Sequence, residues 1–195
     1  MALTTLDERT ALVVIDLQNG VAARTTEPYP ASDVVARSAR LADAFRTKGL
    51  PVVLVRVATA PDGADAAHGR TEVRRPAAGQ LPEGYSDIVP ALAGHEGDLV
   101  VTKRNWGAFY GTELDVILRR RGVTQVVLTG IATSIGVEST ARQAYERNYN
   151  VTLVTDAMSD LSPEGHAGSV ERIFPRLGET GTTDDVLALL ERTHR

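Results

Sequence analysis

The sequence predicts an α/β fold in which helices cover both faces of a parallel β-sheet. Short apolar, β-branched runs alternate with longer helical patterns, which is typical of βαβ units. Each run is continuously apolar rather than alternating, as expected for strands buried on both faces. The chain has 195 residues, 43% hydrophobic and 24% charged, which are ordinary values for one globular domain spanning residues 1–195.

Five apolar runs are the predicted strands of this sheet: Ala11–Asp16, Pro51–Val57, Asp98–Thr102, Gln125–Thr129 and Val151–Thr155. The helices between them are recognised by apolar residues at helical spacing and by start and stop signals. In the first helix, Ser32 and Asp33 can cap the amino end and Gly49 ends the element. The predicted helices are Ser32–Lys48, Thr112–Arg121, Gly136–Arg147, Pro163–Phe174 and Thr183–Arg192.

A long segment, Ala58–Glu96, separates the second and third predicted strands and shows no clear periodicity. Loops longer than about 15 residues inside compact domains are usually functional covers or disordered segments. We expect this segment to cover the pocket. Its Arg70 is a candidate for pairing with a substrate carboxylate through the planar guanidinium, and the alternative is a solvated loop arginine.

Three polar or glycine-containing clusters follow predicted strands. Asp16–Asn19 follows the first strand, Lys103–Trp106 follows the third, and Gly130–Gly136 joins the fourth to its helix. In open parallel sheets, ligands bind beyond the carboxyl ends of the strands, near the point where strand order reverses. We therefore expect an acid, a base and a small-residue turn to meet there.

Composition excludes several classes of function. The formal charge of −4 leaves no basic surplus for nucleic acid or an anionic membrane surface. No apolar run approaches about 18 residues and no leader is evident, so the expected location is cytoplasmic. The absence of cysteine excludes disulfides, thiolate metal sites and every cysteine nucleophile.

No metal or cofactor is expected. The four histidines, His68, His95, His166 and His194, show neither HxH nor HExxH spacing. The glycine-rich dinucleotide fingerprint and the Walker loop are also absent, because Gly130 and Gly136 enclose five residues and no lysine follows.

Three motifs in order carry a resemblance to a known family. They are Asp16-Leu17-Gln18-Asn19, Lys103 followed by Ala108-Phe109-Tyr110-Gly111-Thr112, and Thr129-Gly130-Ile131-Ala132-Thr133. From about Ala11 to the carboxyl-terminal helix, the chain resembles the isochorismatase-like hydrolases, also called cysteine hydrolases.

The resemblance implies a three-layer αβα fold with a mainly parallel six-stranded sheet, its sixth strand near Leu177–Thr180. It also implies that Asp16 and Lys103 are catalytic, and that a cis peptide at Ile131–Ala132 supplies the oxyanion-binding backbone. Most members attack amides or related C–N bonds with a cysteine, whose place here is Gly136. Because glycine has no thiol, the thioester route is closed.

Members that cleave the vinyl ether of isochorismate are similar in lacking that cysteine and carry a pair like Ile135-Gly136. This chain differs from them at Ser134, where they have histidine, and at Val137, where they have cysteine. The predicted function is acid-assisted hydrolysis of a small vinyl ether such as isochorismate.

Protonation of the terminal vinyl carbon gives an oxocarbenium ion that water traps, so no nucleophilic side chain is needed. Asp16 is the candidate acid. Burial raises the pKa of its carboxyl, whereas a nearby Lys103 ammonium lowers it. Lys103 is expected to hold substrate oxygens and stabilise negative charge. The remaining candidate substrate-binding residues are Gln18, Arg70, Trp106, Ile131, Ala132, Ser134 and Gly136.

Three alternatives stay open. Ser134 lies at the centre of a strand-to-helix turn and is followed by Asp156 and His166, in the chain order of an α/β-hydrolase triad. In that case Ser134 would attack an amide or ester. An activated water could hydrolyse the same bonds instead. The fold could also serve as a non-catalytic small-molecule-binding module.

A homo-oligomer is expected, because the resembled family commonly associates. Trp106, Phe109 and Tyr110 also concentrate aromatic residues after the third strand, where they would form an interface or the wall of the pocket.

Overall fold

The computed structural model of the chain describes residues 3–67, 69–73 and 81–194. Within these residues, six strands form one sheet in the order β3-β2-β1-β4-β5-β6, and every neighbouring pair is parallel. The strands are β1 Thr10–Ile15, β2 Val52–Val57, β3 Leu99–Lys103, β4 Gln125–Ile131, β5 Asn150–Ser159 and β6 Glu179–Gly181. The predicted six-stranded parallel sheet is therefore confirmed.

The helices are α1 Asn19–Ala22, α2 Ala31–Thr47, α3 Leu114–Arg120, α4 Glu138–Glu146, α5 Pro163–Gly168 and α6 Thr183–Thr193. π-helical turns at Thr133–Val137 and Ser169–Ile173 precede α4 and follow α5, and a 3₁₀ turn covers Phe174–Arg176. None of the helices in these described ranges is long and apolar enough to cross a membrane.

Several predicted boundaries were wrong. The helix predicted from Gly136 begins as a π-helical turn at Thr133. The one predicted over Pro163–Phe174 is helical throughout, but it is α-helical only to Gly168 and continues as the π-helical turn Ser169–Ile173. β5 extends to Ser159, and the short helix α1 was not predicted.

Helix α6 begins as the capping signal predicts, whereas α2 does not. Thr182 and Asp185 form a reciprocal capping box at the start of α6. The residue before α2 is Pro30, which makes no side-chain cap, so the predicted capping by Ser32 and Asp33 was wrong. Proline supplies a fixed φ there, and the helix is held by its buried face instead.

The two faces of the sheet are each covered by a buried apolar cluster. Val14 belongs to one cluster with Phe45 of α2, and its neighbour Val13 belongs to the other with Leu118 of α3 and Ala141 of α4. Alternate residues of a strand point to opposite faces, so one strand contributes to both cores. The result is the predicted three-layer αβα arrangement.

β3 departs from the expected double burial. Val100 is 50% exposed and Leu99 is half-buried. β3 is the edge strand next to β2, and no strand among the described residues lies along its outer side. A continuously apolar run does not distinguish an edge strand from a central one.

The order of strands reverses between β1 and β4, which lie side by side at the centre of the sheet. Ile15 and Gly130 are in register there. Gly130 has φ +126, and a Cβ on it would lie 2.0 Å from the carbonyl oxygen of Ile15. Only glycine permits this approach, and it brings the residues after β1 next to the turn after β4.

Candidate active site

Asp16 and Lys103 form an ion pair at the carboxyl edge of the sheet. Asp16 follows β1, Lys103 ends β3, and Oδ2 of Asp16 lies 2.8 Å from Nζ of Lys103. Both side chains are buried, with 9% and 2% exposure. Nζ of Lys103 also donates a hydrogen bond to the Trp106 carbonyl oxygen at 2.7 Å. The predicted meeting of acid and base is confirmed.

The backbone at Asp16 turns sharply at the end of β1. Asp16 has φ +54, in the left-handed region that non-glycine residues rarely adopt. Its N–H donates to the Val55 carbonyl and its own carbonyl accepts from the Gln18 N–H. These bonds hold the strained conformation, which is a feature often found at functional positions.

Burial and the lysine act on the Asp16 carboxyl in opposite directions. Burial raises its pKa to about 6, and the charge and hydrogen bond of Lys103 oppose that rise without cancelling it. About a tenth of the molecules would carry the proton at pH 7. Within the described ranges, the second carboxyl oxygen, Oδ1, is buried and has no hydrogen-bond partner. Asp16 is therefore suited to exchange a proton with a ligand.

Gly136 lies against this pair. A Cβ built on Gly136 would lie 3.1 Å from Oδ2 of Asp16, 3.5 Å from Nζ of Lys103 and 3.0 Å from Cγ2 of Ile15. A side chain at position 136 would therefore point at both charged groups. The predicted placement of the pair beside Gly136 is confirmed.

The turn that leads to Gly136 begins with the predicted cis peptide, Ile131–Ala132. The carbonyl oxygen of Ala132 accepts hydrogen bonds from the N–H groups of Ile135 and Val137, each at 3.2 Å. The Ser134 N–H donates to Oδ2 of Asp160 at 2.6 Å. This cluster, residues 131–136, is called the β4 turn below.

Gln18 is placed as a bridge between backbone segments. Its side-chain oxygen accepts from the Val57 N–H at 2.7 Å, and its amide nitrogen donates to the Val57 carbonyl at 2.9 Å and the Tyr85 carbonyl at 3.3 Å. These bonds connect the end of β1 with the end of β2. The geometry supports a positioning role, while direct contact with substrate stays a prediction.

Trp106 and Arg70 are both exposed. The backbone carbonyl oxygen of Trp106 accepts the hydrogen bond from Lys103 at the site. The residue itself is 53% exposed. The expectation that Arg70 faces the pocket stays a prediction, since no contact to the ion pair places it there.

The later part of the Ala58–Glu96 segment runs alongside the residues that follow β1. The Val89 N–H donates to the Leu17 carbonyl, and the N–H groups of Asn19 and Gly20 donate to the carbonyls of Asp87 and Tyr85. A cavity of about 270 Å³ lies between this part and the end of β2, and its lining residues do not include the ion pair. His68 and residues 74–80 lie outside the described residues.

The Ser134–His166–Asp156 triad considered above is not assembled. Nδ1 of His166 is paired with Oγ1 of Thr133 at 2.9 Å. The Asp156 carboxylate instead accepts from the N–H and hydroxyl of Thr183 at 2.7 and 2.9 Å. The α/β-hydrolase interpretation was therefore wrong, because chain order alone does not bring three side chains together.

Two further residues contact the β4 turn: Asp160 was not predicted, and His166 was considered only as a member of the triad. Asp160 accepts from the Ser134 N–H, and His166 pairs with Thr133. Burial lowers the pKa of His166, against the opposing charge of Asp160. Asp160 directly follows β5, so the rule that strand ends carry site residues could have found it. His166 sits on α5, where the sequence gives no comparable signal.

No group of three or more His, Asp or Glu side chains is placed to hold a metal ion in the portion of the chain that the structure describes.

Comparisons with known proteins identify the family of this chain. Residues 10–185 match the isochorismatase domain family. The isochorismatase family protein YecD of Escherichia coli O157:H7 is 44% identical over 93% of this chain and 96% of its own length. Ureidoacrylate amidohydrolase RutB of Methylorubrum extorquens is 31% identical over 93% of this chain and 84% of its own.

A solved structure has the same fold along nearly the whole chain. The isochorismatase family protein from Burkholderia thailandensis superposes with a TM-score of 0.92 and 52% identity, covering 96% of this chain and 98% of that one. The chain therefore belongs to the isochorismatase family and is a hydrolase.

Proposed function

We propose that this hydrolase cleaves a small vinyl ether without a side-chain nucleophile, with Asp16 as the acid. One observation carries the proposal. A buried carboxyl with its pKa raised to about 6 is bound to Lys103 and faces Gly136, a position that offers no side chain. Such a group supplies a proton near neutral pH, which is what a vinyl ether requires.

The reaction balances with water as the only co-reactant. Asp16 gives its proton to the terminal CH₂ carbon, and the π electrons of the C=C bond form the new C–H bond. Water adds to the resulting oxocarbenium carbon and returns a proton to the Asp16 carboxylate. The hemiketal then breaks its C–O bond to the leaving group while its hydroxyl proton passes to the leaving oxygen, which gives pyruvate and an alcohol when the substrate is an enolpyruvyl ether.

Lys103 would bind substrate oxygens and stabilise the negative charge that develops on them. The backbone of Ile131, Ala132 and Gly136 in the β4 turn would contact the same small substrate, with Ser134 and Trp106 at its sides. Gln18 would hold the end of β2 in place. Arg70 would pair with a substrate carboxylate. Arg70→Ala should then raise KM for an acidic substrate. An unchanged KM would mean that Arg70 is a solvated loop residue without a role in binding.

The direct test is pyruvate release from isochorismate, followed by NADH oxidation with a coupling dehydrogenase. We expect turnover by the native protein and its loss in Asp16→Asn, because asparagine keeps the shape but cannot deliver the proton. Asp33→Asn, at an exposed position of α2, is the matched control and should keep full activity. Pyruvate release that survives Asp16→Asn would refute the proposed acid.

Amide hydrolysis is a second candidate, favoured by the 31% identity to a ureidoacrylate amidohydrolase. Here ionised Asp16 would take a proton from water, and that water would attack the carbonyl carbon. Release of ammonia from ureidoacrylate, with none of the pyruvate expected from isochorismate, would select this candidate. No turnover of either probe would favour a binding module.

We also propose a cytoplasmic homo-oligomer acting on a small molecule. The proposal is supported by Trp106 and Tyr110, which lie close together in the sequence after β3 and are 53% and 67% exposed. Phe109 was expected to share a surface with them, but it is buried in the core. A monomeric mass in light scattering at micromolar concentration would contradict the oligomer.

A further inference from the structure

The loop that follows β3, residues 104–113 and called the β3 loop below, supplies an acceptor for the Lys103 ammonium. Nζ of Lys103 donates to the Trp106 carbonyl oxygen at 2.7 Å and lies 2.8 Å from Oδ2 of Asp16. A lysine side chain is long and flexible, so two acceptors on different parts of the chain fix its charge better than one does. The direction of the Trp106 carbonyl therefore helps to set where that charge lies.

The residue after Trp106 makes this carbonyl easy to reorient. The Trp106 carbonyl belongs to the planar peptide unit that it shares with the Gly107 nitrogen. Glycine has the least restricted backbone dihedrals, so that unit can rotate relative to the next one, which carries the Ala108 N–H. Anchoring the Ala108 N–H is thus a way to keep the Trp106 carbonyl directed at Lys103.

Helix α4 supplies such an anchor through two side chains. Oγ1 of Thr140 accepts from the Ala108 N–H at 3.1 Å, and Oε1 of Gln143 accepts from the Phe109 N–H at 3.0 Å. Residues three apart are neighbours on a helix surface, so one face of α4 binds two consecutive N–H groups of the loop. A Cβ on Gly107 would lie 2.3 Å from Oε1 of Gln143. Glycine at position 107 is therefore what lets the loop lie this close to α4.

The Thr140 hydroxyl also reaches the β4 turn. The residue is completely buried, and its O–H donates to the Gly136 carbonyl oxygen at 2.7 Å. A hydroxyl donates one hydrogen and accepts through its lone pairs, so the same oxygen remains an acceptor for the Ala108 N–H. Gly136 lies against the ion pair, and Ala108 belongs to the loop that binds Lys103. One buried hydroxyl thus connects two segments that border the site.

We infer that Thr140 is a positioning residue of the active site: by holding Ala108, it keeps the Trp106 carbonyl directed at Nζ of Lys103. Gln143 supports the same arrangement one residue further along the loop. A charged donor that is already in place costs no reorganisation when negative charge develops on the substrate. The inference rests on the proposed function for that role of Lys103.

The kinetic test uses a variant that loses the hydroxyl and one that keeps it. Thr140→Val retains the branched shape without the two hydrogen bonds, whereas Thr140→Ser retains the hydroxyl. We expect kcat for isochorismate to fall about tenfold in Thr140→Val, because a small displacement of a catalytic group is costly. In Thr140→Ser it should recover to within about twofold of the native value.

Thr47→Val is the matched control. The Thr47 hydroxyl donates to the carbonyl oxygen four residues earlier, that of Asp43, at 2.8 Å, as Thr140 does to Gly136. Thr47 is exposed on α2, away from the β3 loop. Its replacement removes the same kind of helical hydrogen bond and should leave kcat unchanged.

A double-mutant cycle with Lys103→Ala separates positioning from a merely structural effect. If Thr140 acts through Lys103, Thr140→Val should lower kcat by less than about twofold when Lys103 is already replaced. A structural role would lower kcat about tenfold in both backgrounds, and that result would overturn the inference.

Crystal structures test the geometry without any substrate. In Thr140→Val, the distance between Nζ of Lys103 and the Trp106 carbonyl oxygen should exceed about 3.5 Å, and in Thr140→Ser it should stay near 2.7 Å. Melting curves establish that each variant folds. If Thr140→Val does not, Gln143→Met takes its place, because it removes the acceptor of the Phe109 N–H at a half-buried position.

An unchanged distance in the folded variant, or a longer distance with undiminished kcat, would overturn the inference. A longer distance in a protein whose native form turns over neither isochorismate nor ureidoacrylate would support the positioning of Lys103 and refute the proposed substrate classes. The failure of the inference and the failure of the proposed function are therefore distinguishable.

Discussion

Asp16 and Lys103 meet at 2.8 Å although β2 lies between the strands that carry them. Strands two places apart in a sheet are about 10 Å apart, so the long lysine side chain has to reach over the end of β2. Burying two charges costs desolvation that their attraction does not reliably return. Stability therefore does not explain the pair, which supports the proton chemistry that we propose for it.

The pH dependence of the rate follows from Asp16. Because its pKa is raised to about 6, the protonated acid dominates below that pH and falls tenfold for each unit above it. We expect kcat/KM for isochorismate to be level at low pH and to decline above about 6. The amide candidate requires the ionised carboxylate, so its rate would rise through the same range. A flat profile from pH 5 to 8 would contradict both.

Stability should depend on pH through the same group. The folded state holds the Asp16 proton up to about pH 6, whereas the unfolded chain releases it near 3.8. The folded state then binds more protons between these values, so the contribution of Asp16 to the free energy of unfolding falls as pH rises from about 4 to 6.

Asp16→Asn removes that dependence. In urea titrations, the unfolding free energy of the variant minus that of the native protein should increase as pH rises from 4.5 to 7, by up to about 1.4 kcal/mol per pH unit. The exposed control Asp33→Asn should show no such drift. A difference that is constant across this pH range would mean that the pKa of Asp16 is not raised.

The fold and the ion pair were predictable because both depend on short-range patterns. Continuous apolar runs identify parallel strands, and polar residues directly after them, such as Asp16 and Lys103, must gather at one edge of the sheet. The cis peptide at Ile131–Ala132 and the sixth strand came from family resemblance. Nothing in local composition distinguishes them.

Other features depend on long-range contacts that no local pattern records. From the sequence, the Gln18 side chain is a candidate ligand contact, but in the fold its amide hydrogen-bonds to the backbones of Val57 and Tyr85. Asp156 and His166 follow the order of a triad and yet face different partners. Phe109 is buried although Trp106 and Tyr110, which flank it in the sequence, are exposed. Burial depends on which other parts of the fold pack against a side chain.

Removal of the lysine should change both charge and rate. In Lys103→Ala the attraction that lowers the Asp16 pKa is lost while the carboxyl stays buried, so that pKa should rise above about 6. Carboxyl ¹³C titration measures it directly. We also expect kcat/KM to drop by about 100-fold or more, as for loss of one charge-stabilising donor. Lys48→Ala, which removes an ion pair with Glu191 on α6, is the control and should change neither quantity.

Asp160 should stabilise the β4 turn. Its carboxylate accepts from the N–H groups of Ser134 and Leu161 at 2.6 and 2.7 Å, and the residue is buried. Asp160→Ala leaves both donors without this acceptor, which should lower the free energy of unfolding by about 1–3 kcal/mol. Asp33→Ala, at an exposed site, should stay within about 0.5 kcal/mol of the native protein. Equal melting curves for the two variants would show that water replaces the carboxylate without cost.

A cysteine placed at position 136 should change the reaction class. The Cβ of Gly136→Cys would lie 3.1 Å from the Asp16 carboxylate and 3.5 Å from the Lys103 ammonium. Asp16 can then take the thiol proton, and Lys103 can stabilise the thiolate. We expect ammonia release from ureidoacrylate by this variant and reduced pyruvate release from isochorismate, since the thiol fills the space next to the acid.

The native chain has no cysteine, so the introduced thiol is the only one and can be followed without background. Alkylation by iodoacetamide should abolish the new amidase activity, and mass spectrometry should detect an acyl intermediate on the variant. Gly168→Cys carries a thiol in open space on α5 and should acquire no activity. The close contact with Ile15 at 3.0 Å requires the core to shift by a few tenths of an ångström, so a melting curve must accompany the assay. A folded Gly136→Cys that alkylates readily but hydrolyses no amide would show that Asp16 and Lys103 alone do not make a thiol at this position a catalyst.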